Sequence, residues 1–396
     1  MASPTRILVV TTAIQSVISL ASVGVPVLAP DAARDLGFSL GSIGYFISIM
    51  YAGAASAALV SGGLILRYGA MRISQTCLLL CACALVLLTV LPLPLVPLAA
   101  LLLGCGYGPI TPSSTHMLMR TTPPHMMSLT FSIKQTGVPL GAVAAGLLVP
   151  ALTLGFGWRT AALAVAVLCV VMLACAQPLR AELDADRNPA QPLSLANITV
   201  PFQLIFANSA QVRNVIAACT FAGLQLCFYT YLVAYLTDSL AYTLVAAGLA
   251  LSVANICGAA ARIFWGWLAD RTRRAGVVLG TLGIGMALAS LATAAFAPQW
   301  PFAAVLIVCA LFGITAVGWN GVQIAETARL SPPGMAGVVG GGTTFITFTG
   351  IIVMPGLFAI THEVTDSWRM PFALFCLPAL VMGIVLLAHS KNGHKV

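Results

Sequence analysis

Charge is scarce in this chain: only 7% of its 396 residues are Asp, Glu, Lys or Arg, and just ten of those are acids. Soluble domains carry roughly 25% charged residues, so a shortage this deep excludes a water-facing globular surface. The sequence also lacks paired catalytic carboxylates, a His-Glu-x-x-His helix and a nucleophile elbow, which argues against an enzyme. The eleven cysteines all fall in apolar stretches and show no zinc-site spacing, so neither a disulfide framework nor a metal centre is expected, and no cofactor is implied. No basic run is interleaved with aromatics, so the net charge of +8 does not point to nucleic acid.

What the chain has in abundance is apolar sequence: 60% hydrophobic residues and a mean hydropathy of +1.01. Runs of about 20 apolar residues, each long enough to cross a ~30 Å hydrocarbon core as a helix, recur along its length. Twelve are expected, near 7–29, 42–64, 73–93, 97–119, 129–153, 159–178, 212–236, 244–268, 276–297, 301–323, 337–361 and 369–389. The fold class is therefore an all-α polytopic membrane protein, with the lipid bilayer as its solvent. The first run is too long for a signal-peptide core and has no clear small-residue cleavage site, so it reads as a helix of the mature protein.

The basic residues set the expected topology. With a cytoplasmic N-terminus, thirteen of the eighteen fall on the cytoplasmic side: Arg6, Arg67, Arg72, Arg120, Arg180, Arg187, Arg213, Arg271, Arg273, Arg274, Arg329, Lys391 and Lys395. Arg34, Arg159 and Arg369 fall opposite. The positive-inside rule then puts both termini in the cytoplasm. The expected location is a bacterial cytoplasmic (inner) membrane.

The chain also repeats itself. Gly62-Gly63-Leu64-Ile65-Leu66-Arg67 is echoed by Gly266-Trp267-Leu268-Ala269-Asp270-Arg271, Arg120-Thr121-Thr122-Pro123-Pro124 by Arg329-Leu330-Ser331-Pro332-Pro333, and Trp158-Arg159 by Trp368-Arg369. The order and near-constant spacing of these anchors imply two six-helix halves in parallel repeat, 1–179 and 212–396. Residues 180–211 form a polar linker that ends in a semi-apolar Ile198–Phe206 segment suited to the membrane interface.

On these motifs the chain resembles the major facilitator superfamily of secondary transporters. The second copy of the loop motif is the fuller, with Gly266, Leu268, Asp270, Arg271 and Arg274. The first keeps Gly62, Leu64, Arg67, Gly69 and Arg72 but has Leu66 where the family usually has aspartate. The resemblance implies two bundles in pseudo-twofold repeat, working by alternating access. It also implies a gating role for Gly62, Arg67, Gly69, Gly266, Asp270 and Arg271, and a monomer. Gly104 and Gly108 in the fourth helix, Gly137 and Gly141 in the fifth and Gly340 to Gly342 in the eleventh suit close helix packing. Pro109, Pro112 and Pro139 favour local kinks.

Two cations fall within the expected helices, Lys134 and Arg262. A cation at a helix centre costs roughly 2.5–3.5 kcal/mol on insertion scales, so it persists mainly where it faces a cavity and an anion. If both face such a cavity, they form a positive pocket that a carboxylate could bridge; the competing reading is that each snorkels to the interface. An arginine one turn before the loop-motif glycine is also similar to the monocarboxylate and oxalate:formate transporter groups, where it is taken to contact the substrate carboxylate. The animal monocarboxylate carriers have an aspartate one turn before it; here that position is Gly258.

Polar residues at helical spacing extend the candidate substrate site: Asn255 on the face of Arg262, Gln225 with Tyr229, Gln323 in the tenth helix, Tyr107 in the fourth and Gln135 beside Lys134. Gln15 and Ser19 pair likewise in the first helix. No acid is expected in mid-membrane, which leaves His116 and Glu326 as the candidates for proton coupling. The expected cargo is a small organic anion, a mono- or dicarboxylate, with a proton or a counter-anion as the open choice of coupling partner. The alternative is a proton-coupled multidrug or cation exporter, suggested by Gly137-Val138-Pro139-Leu140-Gly141, although such exporters usually place an acid in the cavity.

Overall fold

The computed structural model describes residues 3–37, 42–90, 92–193 and 196–390, and within them it is helical with no strand. Eleven helical stretches are long and apolar enough to span a membrane, as the composition requires. The expected fourth span, 97–119, is divided at Gly108-Pro109 into two helices of twelve residues each. The backbone stays in the right-handed region through both residues. The break therefore reflects the amide donors that Pro109 and Pro112 lack, one turn apart, rather than a turn in the chain. Lys391 and Lys395, which the topology reading used, lie outside the described residues.

The chain folds into two compact units. The first comprises Met1–Thr122, Ile133–Ala207 and Ser331–Phe345; the second comprises Pro123–Ser132, Asn208–Leu330 and Ile346–Val396. These units divide the chain differently from the halves expected from the repeat. The linker residues up to 207 join the first unit, and two short stretches, 123–132 and 331–345, belong to the other unit from the residues that flank them in sequence.

In chain order the helices are α1 (Pro4–Leu36), α2 (Ser42–Tyr68), α3 (Ala70–Val90), α4 (Val96–Tyr107), α5 (Ile110–Thr121), α6 (Met127–Gln135), α7 (Gly137–Phe156) and α8 (Trp158–Ala176). There follow the short α9 (Arg180–Leu183) and α10 (Ala196–Phe206), then α11 (Ser209–Asp238), α12 (Leu244–Thr272), α13 (Ala275–Ala294), α14 (Phe302–Leu330), α15 (Ala336–Thr365) and α16 (Arg369–Ser390).

Within each unit the helices pack in close pairs. In the first, α1 lies against α7, α2 against α4 and α3 against α8; in the second, α12 lies against α14 and α13 against α16. Lipid tails are as apolar as the helices, so association rests on close approach and dispersion rather than on water exclusion. Glycine makes the approach: a Cβ at Gly108 would run into the carbonyl of Ala54 on α2, and one at Gly313 on α14 into the carbonyl of Ala254 on α12. The second unit also has an aromatic core, in which Phe228 packs on Phe312 with ring centroids 4.0 Å apart.

Candidate functional site

In the second unit, α12 carries Arg262 into the helix packing. Its side chain is 5% exposed, and Nε donates to the carbonyl of Val317 on α14 at 3.1 Å. That carbonyl sits beside the close approach of α12 and α14, where Gly258 faces Val317 and Gly313. Tyr229 on α11 lies within electrostatic reach of Arg262, and the Gln225 side chain hydrogen-bonds its hydroxyl. The Gln225 amide oxygen accepts the indole N–H of Trp319 at 3.1 Å. Trp319 is itself packed edge-on against Phe221. Gln225, Tyr229 and Arg262 are thus brought together, with the Gln225 amide oriented by a buried indole and the Arg262 guanidinium by the Val317 carbonyl.

Other expected residues of this unit lie elsewhere. Asn255 is exposed and donates to the carbonyl of Leu251 one turn back. Gln323 is buried; its amide donates to the Thr327 hydroxyl at 3.0 Å, and its backbone carbonyl accepts from Asn214. Asn214 also donates to Thr327, so this trio ties α11 to α14.

In the first unit, Lys134 in the last turn of α6 is 1% exposed. Its ammonium turns inward, donating to the amide oxygens of Gln15 on α1 at 2.8 Å and of Gln135 at 2.9 Å. The side chain does not snorkel to the interface. Gln15 in turn donates to Ser19 at 3.4 Å, the pairing read from their spacing. Tyr107 at the end of α4 packs edge-to-face on Tyr51, 6.4 Å between ring centroids.

The loop-motif residues form two carboxylate nodes, one in each unit. In the second unit, Asp270 at the end of α12 accepts the backbone amides of Ser128 at 3.0 Å and Leu129 at 2.7 Å, in the first turn of α6. It also pairs with Arg329 at 2.7 Å, and Arg329 reaches Glu326 at 3.6 Å. The carboxylate thus meets both the positive end of a helix and a guanidinium. Gly266, one turn earlier, admits Ser132 where a side chain would collide. Arg271 is exposed.

In the first unit Leu66 cannot act as an acid, and Asp184 from the linker supplies a carboxylate instead. Its oxygens accept the amides of Met71 at 2.7 Å and Arg72 at 3.1 Å, at the start of α3. Burial raises the Asp184 carboxyl above its ordinary value, against the pull of those two amides. Gly69 has a φ of +99°, and a side chain there would occupy the place of the Asp184 carboxylate. Gly62 faces Val338 of α15 at a distance no Cβ could share. Arg67 donates to the carbonyl of Gln191, and Asn188 donates its backbone amide to that of Leu66, so the linker is stitched to this loop.

The two proton-coupling candidates are both engaged. His116 is buried on α5 with its Nε2 2.7 Å from the Asp186 carboxylate, whose other oxygen meets Arg120 at 2.6 Å. Burial alone would raise the Asp186 carboxyl, but the His116 hydrogen bond and charge, with the Arg120 charge, hold it below its ordinary value. Glu326 faces Arg329 as described. Asp184 and Asp186 escape a reading of the sequence as helix and cation partners, because each acts over more than 60 residues of chain. The one available signal is negative: an aspartate missing at Leu66 while acids cluster in the linker.

A comparison with curated proteins finds no match. Among solved structures, the E. coli fucose:proton symporter superposes with a TM-score of 0.78 at 16% identity, over 98% of this chain and 99% of that one. A bacterial homologue of the iron transporter ferroportin gives 0.78 at 16% identity, over 98% and 100%. A human organic anion transporter gives 0.75 at 15% identity, over 98% and 100%. At such identities these likenesses show the fold alone. The family model of the Major Facilitator Superfamily matches residues 11–355. This multi-pass chain therefore belongs to the major facilitator superfamily of membrane transporters.

Proposed function

We propose that this transporter carries a small organic anion, a mono- or dicarboxylate, by alternating access, with Arg262 and Lys134 as its anion-binding cations. The observation that carries the reading is Arg262: a guanidinium 5% exposed on an apolar helix, beside Tyr229 and the oriented Gln225–Trp319 pair. An always-charged fork held in place by a backbone carbonyl suits a carboxylate, which it can bind bidentately. Lys134 supports the same charge preference in the other unit, where its ammonium meets amide oxygens. The human organic anion transporter of similar fold is consistent with this cargo class. Gln135 positions the Lys134 ammonium, Gln225 orients Tyr229, whose hydroxyl lies near Arg262, and Tyr107, Gln323 and Asn255 remain proposed contacts.

The reading includes a cytoplasmic-membrane location with both termini inside, repeat halves 1–179 and 212–396 joined by 180–211, and a functional monomer. Gly62, Arg67, Gly69, Gly266, Asp270 and Arg271 serve the conformational cycle, with Asp270 its principal fastening. His116 and Glu326 have cationic or acidic partners already, which favours exchange or facilitated movement over coupling through them.

The test is a thermal-shift screen of purified protein against mono- and dicarboxylates, amines and lipophilic cations, repeated on Arg262→Ala. Stabilisation by a carboxylate that disappears in the folded variant is expected. Stabilisation by amines or lipophilic cations alone, indifferent to Arg262, sinks the anion reading in favour of an exporter.

A further inference from the structure

A cavity of about 710 Å³ lies wholly within the second unit, at the end of the helices where α12 turns into α13. Four arginines line it, Arg213, Arg273, Arg274 and Arg329, against two carboxylates, Asp270 and Glu326. Both carboxylates are engaged by Arg329, at 2.7 and 3.6 Å. Arg213, Arg273 and Arg274 make no ion pair among the described residues. Four arginines against two carboxylates leave the lining with a net charge of +2, and three of the arginines are outside any ion pair among the described residues.

A second feature of the wall has the same sign. α13 is 20 residues long and begins at Ala275, and its N-cap, Arg274, provides no side-chain hydrogen bond. Its first turn holds no acid. The first amides of a helix have no partner within it and carry the positive end of the helix dipole. Ala275 and Gly276, whose amides these are, both line the cavity, and Gly276 has no side chain of its own. The Ser390 hydroxyl stands against Gly276 from α16.

We infer that this cavity binds a phosphate-ester anion. A planar carboxylate offers its two oxygens in one plane; a phosphate monoester presents three non-bridging oxygens in tetrahedral directions with up to two charges, and so matches both donor types better. The volume exceeds what a bare inorganic ion needs, so the phosphate has room for its ester group. A soluble phosphate monoester has this chemistry in full; the headgroup diester of an anionic phospholipid, with two non-bridging oxygens and one charge, shares it in part. Topogenic charge explains why arginines gather at this end of the helices, but not why three of them share a cavity with an uncapped helix start. Because Arg329 lines the same cavity, an occupant competes for the guanidinium that holds Asp270.

The experiment titrates full-length protein in detergent with glycerol 3-phosphate. Separately, it compares native mass spectra after exposure to phosphatidylglycerol and to phosphatidylcholine. Each arm is repeated on the Arg273→Ala/Arg274→Ala double variant, on Arg213→Gln, on Arg187→Ala as a charge control, and on Arg262→Ala to exclude the transport site. Saturable binding of glycerol 3-phosphate, weakened at least tenfold in the double variant or in Arg213→Gln but retained in Arg187→Ala and Arg262→Ala, establishes a site for a soluble phosphate ester. Retention of phosphatidylglycerol over phosphatidylcholine with the same variant pattern assigns the lipid headgroup. No binding of either probe, or equal losses in the cavity variants and Arg187→Ala, overturns the inference. Loss in Arg262→Ala alone does the same.

Discussion

Asp270, at the last turn of α12, accepts the backbone amide of Leu129 at 2.7 Å across 141 residues of sequence. With Ser128 and Arg329 it makes a node in which one carboxylate, 7% exposed, satisfies a helix start and a cation at once. Removing the carboxylate leaves two helix-start amides without their acceptor and Arg329 with Glu326 alone, a loss of roughly 1–3 kcal/mol. Asp270→Ala should therefore lower the melting temperature in detergent clearly, and Asp270→Asn less, since an amide oxygen still accepts. Equal melting temperatures for wild type and Asp270→Ala would show the node to be dispensable.

The pair of Lys134 and Gln15 separates a structural from a functional cation. Gln15→Leu deprives a buried ammonium of an acceptor and should cost roughly 1–3 kcal/mol. Lys134→Met, which removes the charge and keeps the volume, should fold at least as well as wild type. Under the proposed function the same variant loses carboxylate binding. A Lys134→Met protein that is both stable and fully able to bind would confine Lys134 to packing.

The close approach of Gly313 to Ala254 predicts a steep steric response. Gly313→Ala forces α12 and α14 apart and should cost about 1–3 kcal/mol, the usual range for overpacking. Gly146 on α7 has nothing within 4 Å of an added Cβ. Gly146→Ala should therefore be neutral or stabilising by up to roughly 1 kcal/mol, because alanine costs less backbone entropy in a helix. Thermal melts of the two variants side by side decide the matter; similar behaviour of both would contradict so close a packing of α12 on α14.

Asp186 should make the fold acid-sensitive. His116 and Arg120 hold its carboxyl below the ordinary 3.8 despite the opposing effect of burial. A group depressed in the folded state contributes stability above its unfolded value. That contribution is lost as pH falls from about 4 through the lowered folded value. Melting temperatures measured from pH 6 to pH 3 should show a fall in the wild type that is smaller in Asp186→Asn. Parallel curves would mean that the linker contact contributes nothing to folding.

Hydropathy alone found the spans, because crossing a bilayer demands about 20 apolar residues whatever their neighbours. Local periodicity also reached some side-chain pairs: Gln15 with Ser19 and Gln225 with Tyr229 lie one helical turn apart, and both pairs meet. The interruption at Gly108-Pro109 had its warning in the prolines, although the expected fourth span ran through it. What escaped were partners far apart in the chain. Nothing near Lys134 specifies Gln15, nothing near Leu66 specifies Asp184, and nothing near His116 specifies Asp186.

The sequence by itself determined that this chain is a helical, multi-pass membrane protein built on a repeat, because hydropathy, span length and recurring loop anchors are properties of short segments. Only the tertiary structure decided which amides Asp270 and Asp184 hold, that Lys134 turns inward onto α1, and that Arg262 meets Val317, Tyr229 and the Gln225–Trp319 pair. Those are consequences of helix packing. Glycine positions set how closely two helices approach, and that approach decides which buried polar groups find each other when no water is there to satisfy them.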